Sequence, residues 1–172
     1  MKKYLLIFSL LFSGMVIADT VTIDGPCTVK FSPKGGVTDA IVKLVDSSKS
    51  SIRLLAYSFT SDQIATALVN AHNRGVDVQI ILDKTAPTAN GGKYGYVVAS
   101  GIPVFIDSKH AIAHNKVIIV DSKMIENGSF NYTSSAENSN GENALICPSI
   151  SGATAYTVDW TKHQSHSVKA VK

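Results

Sequence analysis

A histidine and a lysine two residues apart, His114 and Lys116, open the apolar run "HNKVIIVD". In an extended strand positions i and i+2 share a face, so an imidazole and an ammonium would project side by side. The ammonium attracts an anion such as a phosphate, and a neutral imidazole can attack its central atom. Ser129 and Asn131, again two apart, are expected to share a face of the following strand, where hydroxyl and amide suit a phosphate oxygen or the second nitrogen of His114. Glu142 stands between Gly141 and Asn143, just ahead of the apolar "ALIC". A carboxylate accepting from Nδ1 of His114 would fix the tautomer that leaves Nε2 free to attack; the plainer alternative is a solvated acid in a turn. Asp121 lies five positions beyond Lys116, an odd number that sends it to the opposite face. Its expected task is therefore structural, bonding backbone or a neighbouring cation at the strand end.

These groups need rigid elements to hold them. Val117 to Val120 are apolar on both faces, as in a covered central strand. Upstream, "GVTDAIVKLVDSSKSS" has helical spacing, "SIRLLAYSFTS" reads as a strand, and "SDQIATALVNAHNRG" as an amphipathic helix with Ser61 as N-cap and Gly75 after its last turn. "VDVQIILD" then completes a strand–helix–strand unit. "KTAPTANGGKYGY" is a loop, followed by a helix around residues 96–100 and strands "IPVFID", "HNKVIIVD", "MIENGSFNYT" and "ENALIC". A closing helix with a frayed tail, anchored by Tyr156 and Trp160, ends the chain. The predicted class is α/β: a mixed, largely parallel sheet flanked by helices on both faces.

The first stretch, "MKKYLLIFSLLFSGMVIADT", has two lysines, an apolar run and small residues leading to Ala18. That is the layout of a secretory signal over residues 1–18, leaving 19–172 as a single domain. A membrane anchor is the rival, but the run is shorter than the ~20 apolar residues that a spanning helix needs. Removing Lys2 and Lys3 lowers the formal charge from +3 by two, to +1. The mature chain is not a polycation, so nucleic-acid binding would rely on local basic groups around a cleft. Cys27 and Cys147 are the two cysteines. In an oxidising compartment they read as one disulfide joining the beginning and end of the fold; two buried thiols are the alternative.

Taken together, His114-x-Lys116-x4-Asp121-x6-Gly128-Ser129-x-Asn131 with Glu142 downstream resembles the HxKxxxxD...GSxN pattern of the phospholipase D superfamily. The likeness extends to "YSFTS", "RGVDVQIILD" and "DWTKHQSHS", and is greatest to small, single-motif bacterial endonucleases exported to the periplasm. The resemblance implies an α/β/α sandwich and a metal-independent phosphodiesterase without cofactors. By it, His114 forms a phosphohistidine, Lys116 and Asn131 hold the phosphate, and Ser129 with Glu142 supports the imidazole. In-line displacement needs nucleophile and leaving-group acid on opposite sides of phosphorus, and one imidazole cannot fill both places. No second H-x-K occurs, so a homodimer with one composite cleft is expected.

Nucleic acid, DNA or RNA, is the expected substrate, acted on in the periplasm or outside the cell after signal cleavage and without stable membrane insertion. A lipid phosphodiesterase of the same mechanism and a catalytically idle nucleic-acid-binding protein are the alternatives. "HAIAH", with His110 and His114 four apart, suggests a zinc pair only if helical; its β-rich surroundings argue against that, so no metal is expected. His110 reads as a loop residue, and His163 and His166 as surface residues. Lys93, Tyr94 and Tyr96 form a basic, aromatic loop that could follow a nucleic-acid backbone.

Overall fold

Alternating apolar side chains on the central strands set the architecture. A computed structural model describes residues 21–23 and 25–171; the expected signal segment lies outside them. The strands β1 (Thr28–Ser32), β2 (Ser51–Ala56), β3 (Asp77–Asp83), β4 (Val104–Asp107), β5 (Lys116–Val120), β6 (Met124–Gly128), β7 (Glu142–Pro148) and β8 (Val168–Lys169) form one sheet. Its order is β1-β7-β6-β5-β2-β3-β4-β8. The helices among the described residues are α1 (Val37–Ser47), α2 (Asp62–Asn73), α3 (Tyr94–Ala99), α4 (Ser134–Asn138) and α5 (Ile150–His166).

The sheet is mixed, as expected, but its parallel part is smaller than the sequence reading had it. Among the strands described, only β2–β3 and β3–β4 pair in parallel; the other strand pairs are antiparallel. A short turn, residues 121–123, joins β5 to β6, which leaves no chain for a crossover and forces an antiparallel return.

Both faces are covered. Leu54, Ile80 and Ile118 pack with Ile41, Leu68 and Val97 of α1, α2 and α3. Their strand neighbours Leu55, Ile81, Val117 and Ile119 point the other way and meet Ala153 and Trp160 of α5. Trp160 is buried, donates its indole N–H to the Leu54 carbonyl at 3.0 Å and meets Phe105 edge-on. Truncating such an aromatic typically costs about 3–5 kcal/mol, so this one side chain accounts for much of the docking of α5. The Ser61 hydroxyl caps α2 by accepting the Ile64 N–H, worth ~1 kcal/mol. Gly75, at φ 89°, ends that helix in a conformation only glycine adopts without strain.

The chain continues past α5 into a short strand. Val168 and Lys169 add to the sheet edge beside Ile106 and Phe105, an addition too short for periodicity to reveal. Among the described residues, no helix is long and apolar enough to cross a membrane.

A disulfide joins Cys27, just ahead of β1, to Cys147 in β7, across a separation of 120 residues. Closing so long a loop removes about 4–5 kcal/mol of unfolded-chain entropy in the loop-closure treatment. Cys27→Ser with Cys147→Ser should therefore lower Tm by roughly 10 °C or more, measured beside the unreduced wild type. A shift within 2 °C would show that the rest of the sheet holds β1 unaided.

Candidate active site

The chain reaches β5 already fastened. β5 begins at Lys116, so His114 sits just ahead of the strand and not inside it. The Ala113 N–H donates to Asp83 Oδ2 at 2.8 Å, and the Tyr57 N–H donates to the Asn115 carbonyl at 3.0 Å. Asp83, buried at the end of β3, accepts the Thr85 N–H and hydroxyl on its other oxygen. Burial pushes its carboxyl upward, but the bonds from Thr85 and Ala113 outweigh this and leave it below the ordinary range. An ionised carboxylate thus grips the backbone immediately before His114. The His114 side chain is exposed, its ring 4.7 Å from that of Tyr57 and tilted by 55°.

Lys116 behaves differently. It is only 6% exposed, and its ammonium donates to the His114 carbonyl at 2.8 Å while lying 5.5 Å from the centre of the Tyr57 ring. Burial lowers its pKa below that of an ordinary lysine, and the charge of Glu142 opposes the shift. A desolvated ammonium with three donors gains strongly from an incoming anion.

β6 stops at Gly128, so Ser129 and Asn131 lie beyond its end in a turn, not on a strand as their spacing had suggested. The N–H groups of Ser129 and Phe130 both donate to the Asn143 carbonyl, at 3.1 and 3.2 Å, which bends the chain out of the ladder. Gly128 allows that approach, because a Cβ there would lie 2.2 Å from the same carbonyl oxygen. The Ser129 hydroxyl donates to Glu142 Oε2 at 2.6 Å and accepts the Asn143 N–H at 3.1 Å. Asn140 donates to Glu142 Oε1 at 3.2 Å, and the Glu142 N–H donates to the Ser32 hydroxyl at 3.2 Å. The carboxylate of Glu142 is therefore bonded to Ser129 and Asn140, and its influence on the His114–Lys116 pair is electrostatic, through Lys116.

Asn131 Oδ1 is buried with no hydrogen-bond partner among the described residues, a costly arrangement unless a ligand completes it. The turn that carries Asn131 is anchored from below. The Tyr132 hydroxyl donates to Glu126 Oε2 at 2.8 Å, both side chains being wholly buried. The Tyr132 carbonyl accepts the N–H groups of Thr60 and Ser61, each at 2.9 Å.

Asp121 stands at the far end of β5, with φ 52°. Its carboxylate accepts the N–H groups of Lys49, Ser50 and Ser51 at 2.9, 2.8 and 2.9 Å, and the Ser50 hydroxyl at 2.8 Å. Burial raises its pKa, but these bonds more than offset the rise. Asp121 is remote from the His114 end of the strand and binds backbone.

At the head of β5 a buried ammonium and an exposed imidazole stand near a hydroxyl–carboxylate pair, an arrangement suited to holding a phosphate beside a nucleophile. The family model "Cardiolipin synthase, PLD-like domain" matches residues 41–162. The chain belongs to the phospholipase D superfamily. It is 38% identical over 137 residues to a phospholipase D of Rickettsia prowazekii (strain Madrid E), covering 80% of this chain and 67% of that one. A mitochondrial cardiolipin hydrolase of Mus musculus is 33% identical over 121 residues, 70% of this chain and 54% of its own. Among solved structures, Nuc from Salmonella typhimurium, a phospholipase D family member, aligns with a TM-score of 0.82 at 38% identity, over 86% of this chain and 99% of its own. NucT from Helicobacter pylori shares the fold, with a TM-score of 0.77 at 22% identity over 84% and 99% of the two chains. Like its superfamily, the chain is a phosphodiesterase.

Sequence reasoning passed over Asp83 and Tyr57, which fasten and flank His114. A carboxylate closing an apolar strand was the available signal for the first. It also read His163 and His166 as surface residues. They are instead partly enclosed, and with His110 they surround Asp107. Lys93 pairs with Asp62 at 2.6 Å and Tyr94 packs on the core, leaving Tyr96 as the exposed aromatic of that loop.

Glu126 makes the anchoring of Asn131 sensitive to pH. Burial raises its pKa from 4.5 to about 8, against a lowering by the Tyr132 hydrogen bond. Between those values the folded state keeps a proton that the unfolded chain releases, so stability is full below pH 4.5, falls as pH rises and levels off above 8. The slope contributed by this group is about 1.4 kcal/mol per pH unit. Urea unfolding at a series of pH values should show Glu126→Gln with a flatter profile than wild type across that window. Parallel profiles would mean that Glu126 titrates normally.

Proposed function

We propose that the protein is a metal-independent endonuclease, cleaving DNA and also able to act on RNA, through a covalent phosphohistidine on His114. Nε2 of His114 attacks phosphorus, the P–O bond to the leaving strand breaks, and the departing oxygen takes a proton from a second His114. That second imidazole comes from a twofold-related copy, giving a homodimer with one composite cleft. Water deprotonated by the second His114 then attacks the phosphohistidine, the P–N bond breaks, and the 5′- or 3′-phosphate product leaves. Lys116 and Asn131 hold the nonbridging oxygens, and the Ser129–Glu142 pair braces the cleft beside them. Two buried lysines in the composite cleft would offset the charge that the phosphate gains in the transition state.

The observation that carries the choice of substrate is where apolar surface lies. The apolar hollow lined by Val120, Met124, Pro148 and Ile150 is at the opposite end of β5 from Lys116. At the other end, Tyr57 flanks His114 and the charge of Glu142, held by Ser129 and Asn140, acts on Lys116, a largely polar setting that suits a sugar–phosphate chain. The names of the rickettsial phospholipase D and the murine cardiolipin hydrolase favour a second reading, a lipid phosphodiesterase with the same nucleophile. We place the enzyme in the periplasm or outside the cell, where the Cys27–Cys147 disulfide would persist.

Plasmid cleavage at 25 °C in excess EDTA, beside His114→Ala, tests this reading. The expected result is cleavage that survives the chelator and falls by at least ~10⁴-fold in the variant. Cleavage abolished by EDTA while circular dichroism shows the protein still folded would overturn the mechanism. Hydrolysis of cardiolipin or phosphatidylcholine vesicles without plasmid cleavage would install the lipid reading, and unchanged cleavage in His114→Ala would remove the nucleophile.

A further inference from the structure

At the end of β4, three imidazoles from two separated segments converge on one carboxylate oxygen. Asp107 closes β4 and is 0% exposed. Its Oδ1 accepts the backbone N–H groups of Lys109 and His110, at 3.0 and 3.4 Å. Its Oδ2 faces His110 Nδ1 at 2.8 Å, His163 Nδ1 at 2.6 Å and His166 Nε2 at 3.3 Å. The three rings stand with their centres 4.7, 5.1 and 5.6 Å apart. All four candidate ligand atoms lie within 4.8 Å of one another.

One carboxylate oxygen has two lone pairs, and three imidazoles crowd it. Were the rings charged they would repel one another; were they neutral, a ring–oxygen hydrogen bond would account for two of them and not for the third. A cation between them meets every demand, with each ring turning a lone pair inward and keeping its proton on the far nitrogen.

We propose that Asp107, His110, His163 and His166 form a tetrahedral site for a divalent transition-metal ion, with zinc the best match. Imidazole and carboxylate donors suit zinc at bond lengths of about 2.0–2.2 Å. Tetrahedral geometry at those lengths sets neighbouring donors roughly 3.3 Å apart, so the Asp107 contacts to His110 and His163 would open by about half an ångström while the widest donor pairs, up to 4.8 Å apart, would close on the ion. The surroundings are those of a metal site. Backbone N–H groups hold Oδ1 and leave Oδ2 to bind, while Asp159 Oδ2 lies 3.7 Å from His163 Nε2, placing a carboxylate behind the ring that binds through Nδ1. Side-chain exposure is 44% at His110 against 12% at His163 and 19% at His166, so the ion has a way in past His110.

Four protein donors leave no open position, which makes the site structural and not catalytic. It would fasten together β4, the end of α5 and the 108–113 segment that leads into His114. The chemistry at His114 takes no part in this and is not needed for it.

Zinc(II) titrated into EDTA-treated, dialysed protein tests the site by calorimetry and by metal content after gel filtration. The disulfide removes thiols as competing ligands. One zinc per chain is expected, with Tm rising by roughly 5–10 °C at a hundredfold excess over Kd. His110→Ala and Asp107→Asn should each weaken binding by about 100-fold, with the fold checked by circular dichroism. If Asp107→Asn does not fold, His166→Ala replaces it. His114→Ala should bind zinc like wild type, which keeps this result separate from the cleavage reaction. Absence of stoichiometric zinc, cobalt(II) or nickel(II) in folded wild-type protein, a Tm unmoved by zinc, or unchanged affinity in His110→Ala would each overturn the proposal.

Discussion

An ammonium group removed from water at the head of a central strand is the constraint around which this molecule is organised. Lys116 could lie in solvent on its long side chain; instead it is buried under the Tyr57 ring and bonded to the carbonyl of His114. Desolvating a charge is costly unless it is compensated. The compensation comes from several strands: β2 leads to Tyr57, β7 begins with Glu142, and the turn after β6 brings the hydroxyl that holds the Glu142 carboxylate. An anion bound beside Lys116 would add to that compensation, so that binding and electrostatic relief would be the same event.

The surrounding sheet keeps these contributors in register. Ala56 pairs with Lys116 across β2 and β5, which sets Tyr57 beside the His114 turn. Gly128 pairs with Ala144 across β6 and β7, and the close backbone contact there directs Ser129 towards Glu142. The carboxylates of Asp83 and Glu126 act underneath: one ionised and gripping backbone, the other kept protonated by burial and gripping Tyr132. Neither touches the cleft, yet each sets the position of a segment that does.

Much of this was legible from local pattern. Helical periodicity and the Ser61 cap located α2, and short apolar runs located β2, β3 and β5. The residue types and spacing of His114, Lys116, Ser129, Asn131 and Glu142 marked a candidate site, and odd parity sent Asp121 to the backbone it binds. What failed depended on contacts distant in sequence. Ser129 and Asn131 fit strand spacing, but the Asn143 carbonyl ends the strand before them. The balance of the sheet was misjudged because one strand–helix–strand unit was extended to strands joined by a tight turn. The grouping of His110 with His163 and His166 joins a loop to the last helix, and no local window contains both.

The position of Asp121 changes what the motif's spacing means. Lys116 is held at one end of β5 and Asp121 at the other, where it collects N–H groups from the α1–β2 connection. At ~3.3 Å per residue the interval between them is about 17 Å, the full run of the strand. The fixed gap is thus a ruler for the depth of the sheet, with chemistry at one mark and a fastening at the other. Inserting a single residue would exchange the two faces of β5 and turn Lys116 from the cleft into the opposite layer.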